Sequence, residues 1–184
     1  MAVIGGQQPG EFKVTAIVMD PVAGAQFYID VLGAQETRRH LAEGLKEVPD
    51  GTVTAVELRL SGIVLVLTRQ NPRFRDGKWS DGRRTDWPRC PEVTGTSTAS
   101  FSLYVDDVDS TLAKALARGA TLMHPSHEIE DTPWGDRIIQ FFDPMGHVWQ
   151  IMTRLEDVAE EELPARIEAQ RERMRQARRA AITT

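Results

Sequence analysis

The chain of 184 residues contains a single cysteine, Cys90. One thiol excludes an internal disulfide and a cysteine-rich zinc site. Long apolar runs are missing as well: no stretch approaches the roughly 20 residues of a membrane span, and Met1 to Gly10 has neither the basic nor the apolar region of a secretion signal. The expected location is the cytoplasm, away from any membrane. Nor is there an excess of basic residues. With 22 Lys and Arg against 27 Asp and Glu, a net charge of −5 and a pI near 5.4, the surface does not suit nucleic acid or anionic lipid. The chain also lacks a phosphate-cradling glycine loop and a Gly-x-Ser-x-Gly nucleophile elbow, which removes the commonest nucleotide and acyl-transfer chemistries. The partner expected is a small molecule.

What the chain does have is a pattern that occurs twice. An apolar run enters an acid, a short helical segment ends in Gly-Ala, and strands follow with a glycine-initiated apolar run. The first copy runs from Val14 to Asp20, on to Gly33-Ala34, and later to Gly62-Ile63-Val64-Leu65-Val66-Leu67-Thr68. The second runs from Phe101 to Asp107, on to Gly119-Ala120, and then to Gly146-His147-Val148-Trp149-Gln150-Ile151-Met152-Thr153. Repetition at this scale marks a duplicated βαβ-type module within one domain. Neither half can bury its sheet alone, so the shared inner faces are where a ligand site is expected.

Local signals set the elements. Asp20 and Pro21 form an N-cap and first-turn pair for a helix carrying Phe27, Tyr28, Val31 and Leu32, ended by Gly33. The chain then alternates through Thr37, Leu41 and Leu45 to a turn at Pro49-Asp50-Gly51, runs as strand through Val53 to Leu60, and turns again at Ser61-Gly62. In the second module, strand 101–106 leads to Asp107, a helix over 108–118 with Leu112, Ala115 and Leu116 inward, strands around 121–123 and 137–142, the turn Asp143-Pro144-Met145-Gly146, and a last strand to Thr153. Asp157-Val158-Ala159-Glu160 reads as a capping box opening a C-terminal helix. The organisation expected is a disordered lead-in over 1–11, one domain over 12–155 and a helical tail over 156–184. The domain divides into a first module at 12–70, a loop at 71–98 that carries Phe74, Trp79 and Trp87, and a second module at 99–155.

Phe27-Tyr28 with Leu32-Gly33-Ala34, the run Leu103-Tyr104-Val105-Asp106-Asp107-Val108-Asp109, and Asp143-Pro144-Met145-Gly146-His147-Val148-Trp149 resemble the vicinal oxygen chelate superfamily. That superfamily holds glyoxalase I, dioxygenases and bleomycin-resistance proteins, and the segment from Trp134 to Val158 is most similar to its PhnB-like branch. The resemblance covers about residues 12–165. It implies an α+β fold of two βαβββ modules forming a cupped mixed sheet, often completed by a twofold partner, here a homodimer.

In metal-dependent members, four ligands stand on the first and last strands of each module, facing into the cup. The corresponding positions here are Lys13, Val66, Ser100 and Gln150. None is a carboxylate or imidazole, and an ammonium repels a cation. No metal and no other cofactor is therefore expected. His124-x-x-His127 brackets a proline and reads as loop; His147 belongs to a turn, His40 has no evident partner, and Cys90 reads as an incidental loop residue. The cup would be lined by Lys13, Val66, Ser100, Tyr104, Trp149 and Gln150, with Phe142 and Trp134 as further aromatic surfaces and Trp79 and Trp87 added from the loop. The leading expectation is metal-independent sequestration of a hydrophobic or aromatic compound, of the bleomycin-resistance type. The alternative is an enzyme of this fold, an isomerase, lyase, cyclase or dioxygenase-like protein, with Lys13, Tyr104 or Gln150 as polar catalysts.

Overall fold

The fold is taken from a computed structural model, and it describes residues 12–46, 48–71 and 88–183. The lead-in over 1–11 and the loop tryptophans Trp79 and Trp87 lie outside the described residues.

The first module is β1 (Lys13–Val18), α1 (Pro21–Leu32), β2 (Gln35–Leu41), β3 (Val53–Leu60) and β4 (Ile63–Arg69). Its sheet runs β1-β4-β3-β2, with β1 parallel to β4 and the other neighbours antiparallel. After a short helix α2 (Pro91–Thr94), the second module repeats the plan: β5 (Ser100–Tyr104), α3 (Val108–Ala117), β6 (Thr121–Leu122), β7 (Glu130–Asp131), β8 (Asp136–Phe142) and β9 (Val148–Arg154). Here β5 is parallel to β9, β8 lies beside β9, and β6 and β7 both pair with β8.

Each helix starts where its cap chemistry dictates. Asp20 accepts hydrogen bonds from the backbone N–H groups of Val22 and Ala23, and Asp107 accepts from that of Ser110. These side chains satisfy amide donors that the first turn leaves unpaired. Gly33 closes α1 at φ +70°, a left-handed conformation that costs a glycine little.

One hydrophobic core serves both modules. Ala16 and Val18, Val56 and Leu58, and Leu65 and Leu67 alternate onto one face of the first sheet; Leu103, Ile139, Phe141, Trp149 and Ile151 do so in the second. Between them pack Phe27, Tyr28 and Val31 of α1 with Val108 and Ala115 of α3. Alternation along a strand then forces the intervening residues onto the opposite, open face of each sheet.

A buried polar joint fixes one module to the other. Asp143 Oδ2 accepts from the Tyr28 hydroxyl at 2.5 Å and from Trp149 Nε1 at 3.1 Å, while Oδ1 accepts from the backbone N–H of Met145 at 3.0 Å and of His147 at 2.8 Å. Four donors on one carboxylate offset the cost of burying it. Burial and the Asp143 charge hold the Tyr28 phenol well above its ordinary range, so it stays a donor.

Three local expectations are corrected. Leu116 is exposed, because the buried stripe of α3 is Val108, Thr111 and Ala115. Strand β2 stops at Leu41 rather than continuing toward Leu45. The capping box is not made: Glu160–Glu162 form a single 3-10 turn, and the C-terminal helix α4 (Leu163–Thr183) begins after it, with Pro164 in the first turn where its missing N–H is harmless. Among the described residues, no helix is long and apolar enough to cross a membrane.

Candidate functional site

The open face of the first sheet carries a cavity of about 680 Å³. Its floor is Lys13, Thr15 and Ile17 of β1 with Val66 and Thr68 of β4, each out of phase with the core residues beside it. Glu57 of β3 and His40 of β2 form one wall, and Leu45, Val48 and Pro88 supply apolar surface at the rim.

Glu57 is the centre of this site. Its Oε2 accepts from Lys13 Nζ at 3.0 Å, and its Oε1 lies 2.8 Å from His40 Nε2. Burial pushes the Glu57 carboxyl up, but the hydrogen bonds from His40 and Lys13 outweigh it and hold the pKa below the usual carboxylate value. A triad of ammonium, carboxylate and imidazole therefore sits among apolar side chains and threonines in a cavity that Arg69, Gln70 and Asn71 also line. The nearby Arg69 is committed to the fold, donating from Nε to the Val53 carbonyl and from Nη1 to that of Met19.

The structure brings Lys13 and Val66 together in this cavity; among the described residues, the others expected lie elsewhere. Ser100, Tyr104 and Gln150 belong to the second sheet, and none lines the cavity. Gln150 accepts from Gln140 at 2.8 Å. Tyr104, 52% exposed, donates to Asp136 at 2.9 Å with Arg154 stacked over its ring, and the bond to Asp136 raises the phenol's pKa. Trp149 is corrected: it is 3% exposed and packs on Tyr28 and Phe101 in the core. As the strand neighbour of Gln150 it must face the other way. Phe142 lines a separate groove beside Pro91, and Trp134 is exposed.

Of the remaining singled-out residues, His147 is buried in its turn, and His124 bonds Ser126 at 2.7 Å on the surface. Cys90, read as a loop residue, stands just before α2 and is fully buried; its backbone N–H donates to Gln70 and burial raises the thiol pKa.

Sequence reasoning missed Glu57 and His40. The available signal was Glu57 itself, an acid alternating with Val56, Leu58 and Leu60 and so destined for the open face.

The donor set does not fit a divalent cation. Lys13 brings a positive charge, Val66 brings no donor, and among the described residues no three His, Cys, Asp or Glu side chains converge. Glu57 already has both oxygens engaged.

A family model described as the glyoxalase/bleomycin resistance protein/dioxygenase superfamily matches residues 12–151. The chain belongs to that superfamily. An uncharacterised Mycobacterium bovis protein is 29% identical over 154 residues, covering 84% of this chain and 90% of its own. Among solved structures, TioX from Micromonospora sp. ML1 superposes with a TM-score of 0.54 at 22% identity, over 79% of this chain and 99% of its own. The fosfomycin resistance protein FosX from Listeria monocytogenes gives 0.50 at 14% identity, over 85% and 99%. At these identities the structural likenesses establish the fold, which hosts both enzymes and resistance proteins.

Proposed function

We propose that this superfamily member is a metal-independent small-molecule binding protein of the PhnB-like branch. It acts in the cytoplasm and sequesters a hydrophobic or aromatic compound, such as an antibiotic, on the open face of its first sheet. The observation that carries the reading is the cavity itself: about 680 Å³, within the usual range for ligand sites, with apolar side chains beside one hydrogen-bonded triad. The exposed second face, with Tyr104, supports a homodimer in which a second copy covers the ligand.

A thermal-shift screen of hydrophobic natural products tests the proposal. A ligand at 100 times its Kd stabilises by about 2.7 kcal/mol, and the shift should vanish in Val66→Trp, which fills the cavity floor. Shifts that persist in that variant, or a panel with no shift, overturn the proposal.

The triad also favours a second reading, an enzyme of this fold acting on a small organic substrate. Lys13 donates to Glu57 and so is an electrostatic partner rather than a base. Mass spectrometry of a hit incubated with wild-type protein and with Lys13→Met separates the readings: conversion lost in the variant supports an enzyme, and unchanged ligand supports sequestration.

A further inference from the structure

The Lys13–Glu57–His40 triad constrains the chemistry of the ligand, given the binding site proposed above. An ionised carboxylate only accepts hydrogen bonds. With Lys13 Nζ at 3.0 Å on one oxygen and His40 Nε2 at 2.8 Å on the other, both partners must be donors. His40 Nε2 therefore carries the proton, and in the neutral imidazole the other nitrogen, Nδ1, is an acceptor with its tautomer fixed from behind. His40 lines the cavity, and among the described residues Nδ1 has no hydrogen-bond partner. Ile17, Val66, Leu45 and Val48 line the same space, and a hydrogen bond strengthens beside apolar surface.

We infer that the cavity selects an apolar ligand through a phenol or enol hydroxyl, which donates to His40 Nδ1. Glu57 and Lys13 are positioning residues that keep this nitrogen an acceptor. The assignment makes an unusual prediction for Glu57→Gln. Lysine can only donate, so the oxygen of the substituted side chain must accept from Lys13, leaving its amide NH2 to donate to His40 Nε2. That nitrogen then becomes the acceptor, Nδ1 acquires the proton, and the site's preference reverses from hydroxyl donors to acceptors.

Two probes with the same rings test this, 2-naphthol and 2-methoxynaphthalene, titrated calorimetrically into the full chain at one fixed pH. Wild type should bind 2-naphthol about 5- to 10-fold more tightly, the equivalent of one hydrogen bond. His40→Phe should bring the ratio to about one, and Glu57→Gln should invert it. Equal affinity of wild type for both probes, with both lost in Val66→Trp, overturns the role of His40 and leaves the cavity as a ligand site. Binding of neither probe, or binding unaffected by Val66→Trp, overturns the cavity reading and this inference with it. The wild-type ratio decides the matter even where a variant folds poorly.

Discussion

Tyr28→Phe removes one oxygen from the joint between the modules and leaves the aromatic ring in place. No cavity forms, so the cost is that of the hydrogen bond alone. That bond is a phenol donating to a buried carboxylate at 2.5 Å, between α1 of the first module and the Asp143 turn of the second. Bonds to charged groups contribute about 1.5–3 kcal/mol. His147 Nδ1 is the nearest substitute, but at 3.6 Å from Asp143 Oδ2 it does not form a hydrogen bond. Urea unfolding followed by tryptophan fluorescence and far-ultraviolet dichroism should show a midpoint lower by about 1 M, for a slope near 2 kcal/mol/M. A double-mutant cycle with Asp143→Asn should give a coupling of at least about 1 kcal/mol. The pH dependence follows from the raised phenol pKa. Above pH about 10 the unfolded tyrosine loses its proton while the folded one retains it, so the unfolded state binds fewer protons and stability falls with pH. The gap between wild type and Tyr28→Phe should therefore narrow above pH about 10. A loss below about 0.5 kcal/mol, with additive double-mutant energies, would refute the joint as a stabilising contact.

Other perturbations have equally direct readouts. Gly135→Ala drives a Cβ into the Glu156 carbonyl at a φ of +89°; a melting temperature lower by several degrees is expected, and an unchanged one would show that the 156 segment moves freely. Asp107→Ala removes the cap of α3 and should cost about 1 kcal/mol in urea unfolding. Truncation after Glu162 removes a helix tied to the domain by side-chain bonds from Arg166 to Glu156 and from Gln170 to Glu130. Helical dichroism should fall while the melting temperature and ligand affinity hold, and a large drop in melting temperature would assign α4 a share of the core.

The elements most legible in the sequence were those governed by neighbours along the chain. Asp20-Pro21, Gly33 and Asp107 act through caps only a few residues long, and the repeated spacing of acid, glycine and apolar run identified both modules. The triad was not legible, because Lys13, His40 and Glu57 come from three different strands. Their meeting depends on register shifts in the β2–β3 ladder between Glu36 and Arg38 and between His40 and Leu41, which alternation alone does not predict. Trp149 shows a different failure. Trp149 and Gln150 are adjacent on β9, so at most one could face a ligand, and the face was decided by where α1 places Tyr28.

The two modules share a plan, but their open faces have diverged in charge. On the first sheet, Glu57 is held by Lys13 and His40 beside an apolar cavity. On the second, Asp136 accepts from Tyr104 and forms an ion pair with Arg154, and Gln150 accepts from Gln140, so these polar groups are engaged within their own sheet. Within one chain, Gln150 does not line the cavity of Lys13 and Val66, and Gln150→Ala should then leave affinity untouched. In the proposed homodimer, the second face of one copy covers the first face of the other, and the same substitution should weaken binding several-fold. Measuring ligand affinity for wild type and Gln150→Ala across protein concentrations that span dissociation separates these cases. A difference that appears only where sedimentation detects a dimer supports the shared site; equal affinities in the dimer refute it.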